Sequence, residues 1–308
     1  MSLATCSSDI QGIDVNRQSF RHALASERPL ITPLAHDALS ARLIEEAGFK
    51  AFTIGGSALL AARYAYPDIG LIGLTDMAQG IKDIADASTL PFLTDADDGY
   101  GDVKSTVRTV LAYEAIGVSG MLIEDQERDR KQQRADKAAA VADEAVIEAK
   151  LRAALAARTN PETFIIGRTD AYGVYGLDAA MRRAERFLAL GVDGIFIAGL
   201  RTDADYERVG KTFKGAFLSA AMFEGGNAPW LAPSVLGQMG FSQVSFPLSI
   251  LLRSVAAMRA GLEDLRSYGL GKTQLQPFAG ITQAREILDV AVNLTKWRSI
   301  EAEFGQDG

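Results

Sequence analysis

One cysteine, Cys6, stands among 308 residues, so no internal disulfide can form. Stabilisation by cross-links is excluded, and a reducing compartment, the cytoplasm, is the expected setting. Long hydrophobic runs are missing as well: none reaches the roughly 18 residues that a membrane span needs, so no membrane partner is expected. The opening stretch MSLATCSSDIQGIDVNRQ lacks a basic start followed by an apolar run, and no secretory signal is read there. Positive charge is in deficit, with 32 Lys and Arg against 39 Asp and Glu, a net charge of −7. A nucleic-acid binder needs a basic footprint, so none is expected as a partner. No linker rich in Pro, Gly or Ser interrupts the pattern, and no internal domain boundary shows through it.

The composition that remains is that of an ordinary globular protein. Hydrophobic residues make up 48% and charged residues 23%, which excludes a disordered chain. Short apolar runs alternate with longer, Ala-rich amphipathic stretches. The apolar runs are Leu30–His36, Ala51–Gly55, Pro91–Asp97, Gly120–Glu124, Thr163–Arg168, Gly194–Ala198, Gly215–Ala220 and Gln243–Phe246. Most are continuously apolar, as strands buried on both faces are. The helical stretches between them include Ala38–Ala47, Val103–Ile116, Asp143–Arg158 and Leu177–Leu190. Several end at a glycine that supplies a cap and a return turn, as in AGFKAF, IGVSGM and LGVDGI. Eight β-then-α units in about 250 residues match a closed (β/α)8 barrel, with a doubly wound open sheet as the alternative. The expected layout is an N-terminal extension over 1–26, the barrel over 27–268 and a helical extension over 269–308, whose pattern is helical across Ile281–Phe304.

In such barrels chemistry sits at the C-terminal ends of the strands, and the charged residues collect there. The third run ends PFLTDADDGYG. Asp95 and Asp97 alternate along it, so both can face inward, and Asp98, Gly99 and Gly101 follow. Crowded carboxylates repel unless a cation or a proton intervenes, and hard oxygens of this kind suit Mg²⁺. The competing reading is solvated acids at a helix start, since Asp102 precedes the Val103 helix. Thr106 stands where an EF-hand loop begun at Asp95 would need its Glu. The fourth run ends LIEDQ, with Glu124 and Asp125, and the fifth ends IIGRTDA, with Arg168 and Asp170. An arginine among acids suits a substrate carboxylate, which its fork can bond twice; the alternative for Arg168 is a buried ion pair with Glu124 or Asp125. Gly55, Gly56 and Ser57 let backbone amides approach an anion. His36, beside Asp37, is either a base or part of a helix-capping neighbourhood.

Taken in order, HDALSARLIEEAGFKAF, the Gly-Gly-Ser turn, YPDIGL, PFLTDADDGYG, LIEDQ and IIGRTDA resemble the isocitrate lyase/phosphoenolpyruvate mutase superfamily over roughly residues 28–260. The resemblance implies a (β/α)8 barrel, a homotetramer with a swapped C-terminal helix, Mg²⁺ (Mn²⁺ as a substitute) and a small 2-oxo or 2-hydroxy acid substrate. It implies that Asp97 binds the metal, with Asp95, Glu124 and Asp68 holding the metal's waters. Gly55, Gly56, Ser57 and Asp95 would then lie against the substrate. Arg168 would bind its carboxylate, and Lys131 and Glu124 would join Arg168 in the chemistry.

The chain also departs from that family. Lyases of the family carry a Lys-Lys/Arg-Cys-Gly-His motif on the loop after the fourth strand, and its thiol protonates the departing enolate. Here residues 127–136 read ERDRKQQRAD, with Lys131 as the candidate lysine and Gln132 and Gln133 where Arg and Cys would stand. Gln gives up no proton at neutral pH. The distal end reads apolar, with Ala198 in place of the mutase His or lyase Glu and Ala220 in place of an Asn. Three functions follow. The first is a Mg²⁺-dependent lyase cleaving a C–C bond through a pyruvate-like enolate, as in an oxaloacetate decarboxylase or an alkylmalate or methylisocitrate lyase. The second is a phosphonomutase or phosphonopyruvate hydrolase acting on a P–C bond. The third is a metal- and ligand-binding barrel without chemistry.

Overall fold

Runs of Val, Ile, Leu and Phe with no polar face can be buried only between other elements, and all eight pair in parallel. The computed structural model describes residues 17–131, 140–226, 228–272 and 280–305. The strands are β1 (Leu30–Pro33), β2 (Phe52–Ile54), β3 (Phe92–Asp95), β4 (Gly120–Glu124), β5 (Phe164–Thr169), β6 (Gly194–Ile197), β7 (Phe217–Ala221) and β8 (Gln243–Phe246). Their order is β1-β8-β7-β6-β5-β4-β3-β2. A parallel bridge from Leu34 to Thr53, with the Ala35 N–H donating to the Thr53 carbonyl at 2.9 Å, closes the ring between β1 and β2. The open-sheet alternative is thereby excluded: this is a (β/α)8 barrel.

Strand alternation divides the apolar residues into two sets. Phe52, Phe92, Met121, Ile123, Ile165, Ile195, Ile197, Leu218 and Val244 join the large cluster between sheet and helices. Leu30, Ala51, Leu93, Phe164 and Ile166 turn into the barrel, where Phe20 and Ala23 complete a second cluster. Phe20 and Ala23 lie on the helix Phe20–Ser26, within the expected N-terminal extension. The Phe20 ring meets Phe164 edge-on at 5.3 Å and Phe217 at 6.2 Å. The short helix therefore plugs the N-terminal end of the barrel. Above this layer, Gln243 takes a hydrogen bond from the Ser219 hydroxyl and gives one to Thr32, so the middle of the interior is polar.

The chain separates into two compact units, one ending at Ile250 and the next beginning at Leu251. The division falls inside the helix Ser249–Gly269, earlier than the expected 268/269 boundary. The second unit also holds helices Ile281–Ala291 and Leu294–Phe304. These were expected as one run; they part at Asn293, whose φ of 55° is left-handed, a conformation that Asn tolerates.

Phe20 is 2% exposed, and truncating a buried aromatic leaves a cavity. Phe20→Ala should lower unfolding stability by about 3–5 kcal/mol in a urea titration.

Candidate active site

The inward sets of β3, β4 and β5 carry the site, because in each a charged residue stands two steps above an interior apolar one. Leu93 leads to Asp95, Leu122 to Glu124 and Ile166 to Arg168. Arg168 Nη1 lies 2.8 Å from Glu124 Oε2 and 3.7 Å from Asp95 Oδ2. Its Nε and Nη2 each donate to Asp170 at 3.0 Å, a two-point fork. Asp97 sits just past β3 with φ at 46°, a left-handed conformation that is strained for a residue with a Cβ. Its N–H donates to Asp95 Oδ1 at 3.0 Å and its carbonyl accepts the Glu124 N–H at 2.8 Å, and these bonds hold the turn. Asp97 Oδ2 takes a hydrogen bond from Arg128 at 3.1 Å, and Asp97 Oδ1 takes one from Lys131. Lys131 Nζ is also 3.1 Å from Asp68 Oδ1 and 3.5 Å from Glu124 Oε1.

Asp68, Asp95, Asp97, Glu124 and Asp170 thus face Arg128, Lys131 and Arg168, five acids against three cations. Asp98 adds no excess, since Lys150 pairs with it at 2.9 Å. Burial would raise the Asp97 carboxyl, but Lys131 and Arg128 outweigh it and hold Asp97 below the usual carboxylate range. Burial dominates at Asp95 and, reinforced by the Asp97 charge, raises it despite Lys131 and Arg168. Burial likewise pushes Glu124 well up against the pull of Arg168 and Lys131. Lys131 is destabilised as a cation by burial, yet Glu124, Asp97, Asp95 and Asp68 together lift it well above an ordinary lysine. The two carboxyls of the Asp95–Asp97 pair are therefore shifted in opposite directions, Asp97 down and Asp95 up.

The Gly-Gly-Ser turn reaches the same rim. Gly55 caps the helix Gly56–Tyr64 without a side-chain acceptor, so its first-turn amides have no side-chain cap and can face an anion. A Cβ on Gly56 would stand 3.3 Å from Asp68 Oδ2 and 3.7 Å from Asp95 Oδ2. Glycine is what lets the carboxylates pass this close to the backbone.

Asp125 belongs elsewhere. Pointing outward, it accepts hydrogen bonds from the Thr169 hydroxyl at 2.6 Å, the Asp170 N–H at 2.8 Å and Arg183 at 3.1 Å. Arg168 does form the ion pair weighed as its alternative role, with Glu124 rather than Asp125. The helix-start reading belongs to Asp102, which accepts from the Lys104 and Ser105 amides, and not to Asp95 or Asp97. His36 lies in the capping neighbourhood of Asp37 and Ser40, its Nδ1 buried without a partner. Burial, against the charge of Asp37, lowers its pKa. Ala220 turns out to the helices with Leu218, so it lines no distal wall; Ala221 shares the inward register of Phe217 and Ser219. Gln132, Gln133 and Cys6 lie outside the described residues.

Sequence reasoning missed Arg128, Lys150 and Arg183. Arg128 sat in a charge run that reads as a solvated loop, and the other two sit on helices with no local motif around them.

Among the described residues no three His, Cys, Asp or Glu side chains converge as a ready-made metal cage. The donor set nevertheless fits a cation bound through few carboxylates and several waters, as Mg²⁺ is. The acids outnumber the cations five to three. Glu124 Oε2, buried and facing this cluster, has no hydrogen-bond donor directed at it although the Arg168 guanidinium lies close.

Comparison with known proteins finds one family and relatives within it. The phosphoenolpyruvate phosphomutase family matches residues 20–266. A protein named "Probable 2-methylisocitrate lyase 1" from Corynebacterium glutamicum is 37% identical over 260 residues, covering 84% of this chain and 85% of its own length. An oxaloacetate decarboxylase from a Bradyrhizobium species is 32% identical over 264 residues, covering 85% of this chain and 91% of its own. A crystal structure of 2,3-dimethylmalate lyase superposes with a TM-score of 0.84 at 28% identity, covering 94% of this chain and 96% of that one.

Removing Asp125 would leave buried Arg183 with the Ala142 carbonyl but without the carboxylate that balances its charge. Asp125→Ala should cost about 3–5 kcal/mol in chemical denaturation; a change within experimental error would show that the Arg183 pair does not support β5.

Proposed function

Because the chain belongs to the isocitrate lyase/phosphoenolpyruvate mutase superfamily, whose members among its relatives include several lyases, we propose that it is a Mg²⁺-dependent enzyme cleaving a C–C bond in a small 2-oxo or 2-hydroxy acid. The observation that carries this reading is the rim cluster of Asp68, Asp95, Asp97 and Glu124 beside Arg168 and the Gly55–Gly56–Ser57 turn. These four acids would hold the cation, with Asp97 as its direct ligand. Bound there, the cation would stabilise the negative charge that develops on the substrate's α-oxygen. The turn amides and Arg168 Nη1, the nitrogen not forked onto Asp170, would receive the substrate carboxylate, which fixes the scissile bond beta to that oxygen. Burial of Glu124 and Asp95 keeps water from competing for these contacts.

The direction of cleavage follows from what the site lacks. The only cysteine is Cys6, so no thiol in the 127–136 stretch can return a proton to the enolate. Loss of CO₂ from an oxaloacetate-like acid needs only water for that step. Relatives named oxaloacetate decarboxylase and 2,3-dimethylmalate lyase support a substrate of this size. A cytoplasmic setting without nucleic-acid partners belongs to the same reading, supported by the net charge of −7. No described helix is long and apolar enough to cross a membrane. The homotetramer belongs to it as well. Leu252, Val255, Met258, Leu262 and Leu265 are 47–66% exposed along the helix Ser249–Gly269. An apolar stripe of that kind needs a cover, and sedimentation should give about four times the 33.0 kDa chain mass.

The decisive measurement is a coupled assay for pyruvate with and without Mg²⁺, over oxaloacetate, alkylmalates, methylisocitrate and phosphonopyruvate. Mg²⁺-dependent pyruvate without phosphate is the expected result. Phosphate release would move the chain to the P–C branch, and silence across the panel would leave a binding barrel. Asp97→Ala should reduce turnover at least about a thousandfold. Arg168→Ala should weaken oxalate binding by about ten- to a hundredfold, the worth of a charge-assisted bond pair.

A further inference from the structure

Three cations serve the acid cluster, and they are held differently. Arg128 donates to the carbonyls of Gly70, at 3.4 Å, and Ile72, and lies over the Tyr100 ring at 5.3 Å, in addition to its bond to Asp97. Arg168 is forked onto Asp170 and stacked over Phe196 at 5.7 Å. Lys131 has no such second anchor among the described residues. Its Nζ contacts Asp97, Asp68 and Glu124, carboxylates from three separate segments, and its side chain is 5% exposed. The ammonium stands at the point where these acids converge. It uses Asp97 Oδ1, while Arg128 uses Asp97 Oδ2, so both oxygens of the expected metal ligand are engaged by this one turn.

We propose that Lys131 is the internal counter-ion of the metal-free enzyme, and that a divalent cation binding at Asp97 expels its ammonium from the acid cluster. The inference rests on the metal reading of the proposed function. Two positive centres cannot share the same oxygens at contact distance without strong repulsion. The pinned guanidinium of Arg128 stays, whereas a lysine on a flexible four-carbon stem can leave. In the absence of metal, Lys131 keeps Asp68, Asp97 and Glu124 gathered against their mutual repulsion. The acids are thus pre-assembled, at the cost of a competition that weakens metal affinity.

Site-resolved acylation with an amine-reactive ester, read by mass spectrometry, tests the displacement directly. Lys104, 85% exposed, is the internal reference. In EDTA, Lys131 should react at least about tenfold more slowly than Lys104, and saturating Mg²⁺ should remove most of that protection. Calorimetry in parallel should show Mg²⁺ binding to Lys131→Met at least about tenfold more tightly than to the wild type. Mg²⁺ binding by calorimetry with Lys131 still protected would overturn the displacement and leave the metal reading intact. Heatless, signal-free titrations of both proteins would overturn the metal reading itself. If Lys131→Met does not fold, the acylation of the wild-type chain decides alone.

Discussion

Mutual repulsion among carboxylates at one end of the barrel is the constraint on which the rest of the site depends. Asp95, Asp97 and Glu124 arrive on neighbouring strands whose spacing is fixed by backbone hydrogen bonds, so they cannot spread apart. Asp68 is brought to them by the loop that follows the Gly55–Gly56 turn, and Asp170 by the end of β5. Each cation in the cluster answers part of that repulsion, and none is spare. The distribution of proton affinities follows: at Asp97 the charges of Lys131 and Arg128 outweigh burial and lower it, while at Asp95 and Glu124 burial outweighs the neighbouring cations and raises both. A buried group of this kind adds little to stability, because desolvation cancels much of the Coulombic gain. The same crowding in a folded, water-poor setting is useful only to something that must hold positive charge.

The scaffold supplies what the cluster cannot. Asp97 keeps a left-handed backbone because flanking hydrogen bonds to Asp95 and Glu124 hold it there, a local strain placed at the centre of the acid cluster. At the other end, Phe20 fills the barrel floor and leaves the apolar interior closed beneath the acids. The polar middle layer of Thr32, Ser219 and Gln243 separates the two. Stability and chemistry thus occupy opposite ends of one interior.

The barrel and the gathering of acids at its rim were legible from the chain because both rest on short-range periodicities. Continuous apolar runs announced strands buried on both faces, and the acids followed those runs directly. What could not be read was pairing across the sheet. Arg183 lies far along the chain from Asp125, and nothing local to either marks the contact. Arg128 belongs to a run of charge, and only the fold shows that it reaches back to Gly70, Ile72 and Asp97. Ala220 was misplaced for a different reason. The end of β7 was set one residue short, and with a period of two, a shift of one residue exchanges the inner and outer faces.

That alternation also explains how adjacent acids come to do unrelated work. Ile123, Glu124 and Asp125 follow one another, yet Ile123 faces the helices, Glu124 the barrel rim and Asp125 the space behind β5. Glu124 keeps an oxygen that no hydrogen bond reaches, with only the Arg168 charge beside it, while Asp125 is saturated by Thr169, Asp170 and Arg183. Burial raises both, Asp125 to about 6, but the two are buried for different ends. A saturated acid is finished: its donors define where Asp170 stands, and through Asp170 where the Arg168 fork is aimed. An acid with a free oxygen is incomplete until a further donor or cation arrives. In this barrel the incomplete Glu124 faces the rim, and the saturated Asp125 braces it from behind.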